Sequence, residues 1–384
     1  MKNPTKEYWF TFEPYIHVSL KKGKALVYNT LDNEYLIVTD KDALSFLSRI
    51  TKEENFGVIK VLPEDWEKEA INKLITKSRN LFFGDLYDCS LSSRKPIQFY
   101  PKLNLQEEVE HIKKLNPNHV GTKMYSYLYQ ITMELGLLKS TELDNFISVV
   151  FKQLVNSHIR RLIIIPNTSE QIEHVLAILK EYEQLEQYVS LFLNPELLSF
   201  MPNDSELPIT LVLNNIEYTD IKNSKINCLI RVHSESELKF FSEWIDNNQI
   251  ENYKIEPVYN GENLDFFKEH VFMNKEDILS KPISMQSIMR NQVLNVNDFG
   301  KLHIDSGGNV FSNKLFPSIG NIYINTLRQL VHKEMVEGKA WLRIRTNIPC
   351  CDCVFQWLCP SLGDNEILIG KDNLCSIKDM HDLF

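Results

Sequence analysis

Residues 127–135 read YLYQITMEL, a strand-like run that opens a repeating alternation of strands and helices. Further strand-like runs lie at 162–165, 189–193, 209–213, 226–232 and 253–259. Helical periods lie between or after them at 143–155, 172–183, 235–244 and 264–270. Apolar strands that alternate with amphipathic helices predict an α/β fold in which helices cover a parallel sheet. Because there are about six such strands and a complete barrel has about eight, residues 121–285 are predicted to form a partial, TIM-like β/α barrel.

Residues 1–91 carry a different pattern, in which short β-type runs precede helices. The runs lie at 9–12, 15–20, 25–28 and 35–38. Asp40 is a candidate cap for the first helix, and a second helix carries Trp66, Ala70 and Leu74 at helical spacing. This order predicts a small winged-helix-like domain of three strands plus helices.

The other two segments differ in composition from the barrel. Residues 92–120 contain three prolines and are predicted to be a linker. Residues 286–384 contain a hairpin pattern that turns at residues 306–309, then a helical pattern and a cysteine-rich segment. They are predicted to form a separate, smaller module.

Composition excludes several classes of protein. The 384 residues include 43% hydrophobic side chains, which is enough for a full core. The net charge is −9 and no basic block is present, so nucleic acid is not an expected partner. No apolar run approaches the roughly 20 residues of a membrane span. The sequence therefore predicts a soluble, cytoplasmic protein with no membrane partner.

The cysteines are concentrated near the C-terminus, where residues 348–360 read IPCCDCVFQWLCP. Cys350, Cys353 and Cys359 form a C-x2-C-x5-C run, and Cys375 follows after fifteen intervening residues. Four thiolates at this spacing suit either a structural zinc ion or a [4Fe–4S] cluster, and spacing alone does not choose between them. The alternative is a set of reduced, buried thiols. Cys351 is surplus to four-fold ligation.

The cysteine run resembles part of the SPASM domain, the C-terminal extension of peptide-modifying radical SAM enzymes that holds auxiliary iron–sulfur clusters. In that family, other cysteines bind a further cluster. Here Gly308 matches the glycine of the G-x4-C motif, but Asn313 and Gly363 stand at cysteine positions and residues 291–299 contain no cysteine. The resemblance implies one retained [4Fe–4S] cluster, with zinc as the alternative, on four ligands: Cys350, Cys353, Cys359 and Cys375.

The motif that binds the catalytic cluster of a radical SAM enzyme, C-x3-C-x2-C after the first barrel strand, is missing. The residues after that strand read LKSTELDNFISVV and contain no cysteine. Residues 165–167, which follow the second strand, lack the Gly-Gly-Glu motif that contacts S-adenosylmethionine (SAM) in that family. The chain resembles the pseudo-radical-SAM proteins of peptide natural-product systems in Bacteroidales. SAM is therefore not an expected cofactor.

The N-terminal segment is similar to the PqqD-like domain, which recognises the leader of a precursor peptide. In that family the leader adds a strand to an exposed sheet edge and packs on a helix. The resemblance implies an edge formed by Tyr35, Leu36, Ile37 and Val38, and a wall formed by Trp66, Ala70 and Leu74. The alternative is a hairpin that caps the barrel, with these side chains in its core.

These resemblances imply a non-catalytic partner in ribosomal peptide maturation. Its expected partners are a precursor leader, a true radical SAM maturase, or both. Two other interpretations stay open, namely a cluster-dependent redox enzyme without SAM chemistry and a zinc-stapled scaffold protein.

Overall fold

The computed structural model describes residues 7–91, 94–98, 105–116, 122–155, 157, 159–202, 205–214 and 226–376. Residues 92–93, 99–104 and 117–120 of the predicted linker lie outside the described part. Residues 1–6 of the N-terminal domain and 377–384 of the C-terminal module also lie outside it.

The N-terminal residues form two antiparallel sheets of three strands each, with order β2-β3-β4 and β5-β1-β6. The strands are β1 (Tyr8–Phe12), β2 (Ile16–Lys21), β3 (Lys24–Asn29), β4 (Tyr35–Val38), β5 (Val58–Val61) and β6 (Gly84–Asp88). The helices are α1 (Lys41–Ile50), α2 (Pro63–Trp66) and α3 (Glu69–Asn80), and a 3-10 turn covers Cys89–Leu91. As expected, Asp40 caps α1, because its side chain accepts hydrogen bonds from the backbone N–H groups of Asp42 and Ala43.

Two details of the N-terminal prediction were wrong. The described part of the domain has six strands instead of three, and the run at 9–12 pairs with β5 and β6 in a second sheet. The single helix expected to carry Trp66, Ala70 and Leu74 is split, so that Trp66 ends α2 and the other two lie on α3. Lys68 has an extended backbone, φ −93° and ψ 112°, which interrupts the helical hydrogen bonds between the two helices.

The central sheet has nine strands in the order β12-β11-β10-β9-β8-β7-β13-β14-β15. Its strands are β7 (Gln130–Glu134), β8 (Arg161–Ile165), β9 (Val189–Leu193), β10 (Ile209–Leu213), β11 (Asn227–Val232), β12 (Tyr253–Pro257), β13 (Lys301–Ile304), β14 (Asn309–Phe311) and β15 (Gly320–Asn321). Strands β7 to β12 are parallel neighbours in chain order. This confirms a mixed α/β fold and is consistent with a partial barrel.

Helices connect the strands along the chain and pack on the sheet. They are α4 (Leu105–Lys113), α5 (Ser140–Leu154), α6 (Ser169–Leu179), α7 (Glu183–Glu186), α8 (Glu235–Asn248), α9 (Leu264–His270), α10 (Lys275–Ile278), α11 (Met285–Asn291), α12 (Leu327–Glu337) and α13 (Asp364–Ile369). Shorter 3-10 helices cover Thr122–Tyr127, Pro195–Phe200 and Cys350–Asp352. No helix in the described ranges is long and apolar enough to cross a membrane.

The C-terminal residues extend the central sheet. Strand β13 pairs in parallel with β7, and the expected hairpin of β13 and β14 continues antiparallel from it. Trp341 is fully buried in the central core. The 286–384 segment therefore shares both sheet and core with the barrel, which a boundary drawn from sequence pattern alone does not reveal.

A third core joins the N-terminal sheet to the cysteine-rich segment. From the sheet it contains Leu26 and Tyr28, and from the cysteine segment it contains Val354, Phe355 and Leu358. The opposite face of the same sheet packs in the N-terminal core. The sheet β2-β3-β4 therefore lies between two apolar cores.

Candidate cysteine centre and peptide groove

Local turns hold the first three predicted ligands. Cys350 lies in the 3-10 helix, and its carbonyl accepts a hydrogen bond of 3.1 Å from the N–H of Cys353. The N–H of Cys359 donates to the carbonyl of Phe355 at 3.1 Å. Because these turns reverse the chain within a few residues, they bring the three cysteines to one region of the molecule.

A short β-bridge returns the fourth cysteine to the same region. Cys375 is bridged in parallel to Met273. The N–H of Met273 donates to Leu374 at 3.0 Å, and the N–H of Ser376 donates to Met273 at 2.9 Å. Met273 itself packs on the third core, so the bridge places Cys375 beside the segment that carries the other three cysteines.

The four thiols influence one another electrostatically. Burial raises the pKa of Cys359 to about 12, Arg345 opposes this rise, and the thiols of Cys353, Cys375 and Cys350 add to it. Burial also raises the pKa of Cys353, with contributions from Cys350 and Cys375. These mutual effects require that the four sulfur atoms lie close enough to interact.

A buried cation stands beside the thiols. Arg345 donates to a carboxylate oxygen of Glu366 at 2.9 Å and to the carbonyl of Pro360 at 2.7 Å. Its Nη1 lies 3.9 Å from the Sγ of Cys350. The side chains of Arg345 and Glu366 are only 5% and 8% exposed. Positive charge at this place favours thiolates, the form in which cysteine binds metals.

The donor set fits a thiolate-bound metal in residue type. All seven cysteines are reduced thiols, and four of them share this region. Within the described residues, no group of three or more His, Cys, Asp or Glu side chains is already arranged as a metal site. The sulfur atoms are therefore neighbours that do not form a closed ligand set.

A hydrogen-bonded polar network surrounds Asn313, one of the residues that stand where the resemblance expects a cysteine. The Nδ2 of Asn313 donates to Asp298 at 3.0 Å and to Asp364 at 2.6 Å. Asn295 donates to Asp298 at 3.1 Å, and Arg343 lies 3.6 Å from the same carboxylate. Burial raises the pKa of Asp298 to about 6, with Asp364 adding to the rise and Asn313 and Arg343 opposing it. Sequence reasoning found the missing cysteines but not this replacement.

The turn after the first barrel strand is short and is held by side chains. Only residues 135–139 separate β7 from α5. The side-chain amide of Gln171 donates to the carbonyls of Gly136 at 3.2 Å and Leu138 at 3.1 Å. Gly136 has φ +54°, and a Cβ there would lie 2.6 Å from Ser306 Oγ. None of residues 135–139 is a cysteine.

A groove of about 500 Å³ lies between the edge strand β4 and helix α3. Five of the seven predicted peptide-binding residues line it, namely Leu36, Ile37, Val38, Ala70 and Leu74. The beginning of α1 closes one end with Asp40, Asp42 and Ala43, and Glu69, Lys73 and Lys77 lie along α3. The structure thus places a strand edge opposite a helix face that carries both apolar and charged side chains.

The other two predicted residues lie elsewhere. Tyr35 packs edge-on against Phe355, with ring centroids 6.4 Å apart, and Lys275 lies over its ring at 4.9 Å. Trp66 packs edge-on against Tyr8 at 6.0 Å on the N-terminal core. Because strand side chains alternate between faces, Tyr35 points to the cysteine segment instead of the N-terminal core. That pairing was not visible from sequence.

Comparison with known proteins gives distant structural matches only. No protein-family profile matches the chain, and no curated protein matches it significantly. The crystal structure of Streptococcus suis SuiB bound to S-adenosylmethionine aligns with 96% of this chain and 99% of its own, with 12% identity and a TM-score of 0.42. A heterocyclase in complex with substrate and cofactor aligns with 48% of this chain and 23% of its own, with 11% identity and a TM-score of 0.15. At these TM-scores neither alignment carries an argument about this chain.

Proposed function

We propose that this chain is a non-catalytic partner in ribosomal peptide maturation, which binds the leader of a precursor peptide in the groove beside β4 and acts together with a radical SAM maturase. The observation that carries the proposal is the groove itself. An unpaired strand edge and a helix form its two walls, with apolar side chains between them.

The groove suits an extended peptide. In the described part of the chain, β4 pairs only with β3, so its other edge can accept main-chain hydrogen bonds from an added strand. Alternate peptide side chains would then pack on Val38 and Leu74, which are buried at the base of the groove. Of the charges at the rim, Glu69 pairs with Lys73 at 2.6 Å, Asp42 pairs with Lys68 at 2.8 Å, and Asp40 caps α1. Affinity is therefore expected to come from backbone pairing and apolar contact.

We further propose that the cysteine centre holds one [4Fe–4S] cluster, with zinc as the alternative occupant. The ligands would be Cys350, Cys353, Cys359 and Cys375. When bound, a cluster of this type supplies a one-electron carrier and a cross-link, whereas zinc supplies the cross-link alone. Arg345 would stabilise the thiolates, and the bridge at Met273 would hold Cys375 in place.

The experiment that tests peptide recognition is fluorescence anisotropy with a labelled synthetic leader of the precursor encoded beside this chain. Wild-type protein should give saturable binding. Ala70→Arg places a large charged side chain in the groove and should weaken binding at least tenfold. Thr76→Arg adds the same charge on the exposed, non-lining part of α3 and should leave binding unchanged. Absence of saturable binding by the wild type, or full affinity in Ala70→Arg, would refute the proposal.

A further inference from the structure

Strand β4 is held by two cores at once. Leu36 and Val38 pack in the N-terminal core and line the groove. Tyr35 and Ile37 pack on the third core, which contains Phe355. Successive strand side chains point to opposite faces, so every residue of β4 is committed to one core or the other. The position of the groove edge therefore depends on the packing beneath it.

The packing beneath β4 is the cysteine segment. Phe355 is fully buried and lies between Cys353 and Cys359 in the chain. Cys359 is itself a member of the third core, and Cys353 packs against it. Two of the four proposed metal ligands thus belong to the apolar surface on which Tyr35 and Ile37 rest.

Polar contacts also hold the sheet β2-β3-β4 against residues of the third core and the cysteine segment. The hydroxyl of Tyr28, on β3 opposite Tyr35, donates to Asn33 at 2.8 Å and accepts from the N–H of Ile283 at 2.8 Å. The side-chain amide of Asn33 donates to the carbonyl of Leu279. On β2, Lys21 donates to Gln356 at 2.5 Å. Of these contacts, the one between Lys21 and Gln356 reaches the cysteine segment, and those of Tyr28 and Asn33 reach Ile283 and Leu279, which pack on the same third core.

We propose that metal loading of the cysteine centre raises the affinity of the β4 groove for an extended peptide. This inference rests on the proposed function. Ligation fixes the backbone of residues 350–359, which fixes the surface under Tyr35 and Ile37. When a peptide strand is then added, less of the protein has to become ordered. The entropy cost of binding is therefore smaller, and the peptide binds more tightly.

Coupling of this kind is reciprocal, so bound peptide also stabilises the loaded centre. Couplings between protein sites commonly change affinity by roughly 5- to 150-fold. We expect the labelled leader to bind at least about fivefold more weakly to metal-free protein than to loaded protein.

The test compares leader affinity by anisotropy in four full-length proteins, each loaded anaerobically with iron and sulfide or with Zn²⁺ and each stripped with a chelator. They are wild type, Cys353→Ser, Phe355→Leu and Phe151→Leu. Cys353→Ser should bind like stripped wild type under both conditions. Phe355→Leu keeps the ligands but loses the contact with Tyr35, so its loaded and stripped affinities should converge. Phe151→Leu changes a fully buried phenylalanine of the central core and should keep the wild-type ratio.

The outcomes separate this inference from the proposed function. Equal leader affinity of loaded and stripped wild type overturns the coupling but leaves leader recognition standing. Failure of both states to bind the leader refutes recognition and the coupling with it. Metal contents that are the same in wild type and Cys353→Ser overturn the coupling, because the tetrad is then not the metal site. If Phe355→Leu keeps the wild-type ratio of loaded to stripped leader affinity, the contact between Phe355 and Tyr35 does not carry the coupling.

Discussion

The carboxylate of Asp65 joins α1 to α2, the two helices that precede the groove wall. Arg49 donates to both of its oxygens at 2.8 Å, and the N–H of Leu62 donates at 3.0 Å. The side chain of Asp65 is 1% exposed, whereas that of Arg49 is 34% exposed. Asp65→Asn removes the charge and one acceptor of this fork. Hydrogen bonds to charged groups contribute roughly 1.5–3 kcal/mol each, and Arg49 regains some water, so we expect a loss of about 2–4 kcal/mol.

Chemical denaturation of the full chain, followed by hydrogen exchange at the backbone amides of α1, measures this loss. Burial raises the pKa of Asp65, but Arg49 and the N–H of Leu62 lower it more, so its net shift is downward. Its contribution to stability is therefore present above the unfolded pKa of about 3.9 and is lost as pH falls through the folded pKa. The penalty of Asp65→Asn should shrink accordingly at low pH. Glu69→Gln, which removes an exposed pair, is the matched control and should change little. Equal effects of the two variants at pH 7 would refute this account of Asp65.

Three further predictions concern titration and backbone. Because the pKa of Cys359 is raised to about 12, its thiol releases a proton when it binds metal. Apparent metal affinity should therefore rise about tenfold per pH unit between pH 6 and 8 for each proton released, and an affinity that does not change with pH contradicts this. Asp298 keeps its proton up to about pH 6 in the folded state, so wild-type stability should fall between about pH 3 and 7, by about 3 kcal/mol in all relative to Asp298→Asn, and a pH-independent difference would count against it. Gly136→Ala should cost about 1–3 kcal/mol in thermal unfolding because φ is positive and Ser306 is close, and an unchanged melt would contradict the strain.

Periodicity predicted the parallel sheet well. The six predicted runs form parallel strands, and the run LIII at 162–165 is buried at three of its four positions. Helix α5 likewise buries Leu143, Phe146, Ile147 and Val150 at helical spacing. These signals are local, and sequence patterns report local periods directly.

Long-range pairings were the part that sequence could not supply. Strand β5 has four residues and β6 reads GDLYD, so neither shows a distinct alternating pattern. The pairing of β13 with β7 joins residues about 170 positions apart, and no local period encodes it. For the same reason Trp66 was assigned to the groove, although the break at Lys68 turns it towards Tyr8.

In the candidate sites too, local sequence patterns were predictable and long-range contacts were not. The C-x2-C-x5-C spacing identified the cysteine segment, and the structure adds the β-bridge at Met273 and the buried Arg345, which no spacing indicates. The resemblance to the PqqD-like domain implied the groove edge Leu36 to Val38. The contact between Tyr35 and Phe355 depends on how two distant segments pack, and only the folded chain reveals it.

Hydrogen exchange at the backbone amides of β4 tests the central claim most directly. Metal-loaded full-length protein is compared with and without a saturating amount of the synthetic leader. An added strand should slow exchange at the amides of Tyr35 and Ile37, which the register points away from β3, while β12, the outer parallel strand of the central sheet, should exchange at the same rate in both samples. Saturable leader binding with no change in exchange at β4 would contradict recognition by strand addition in this groove.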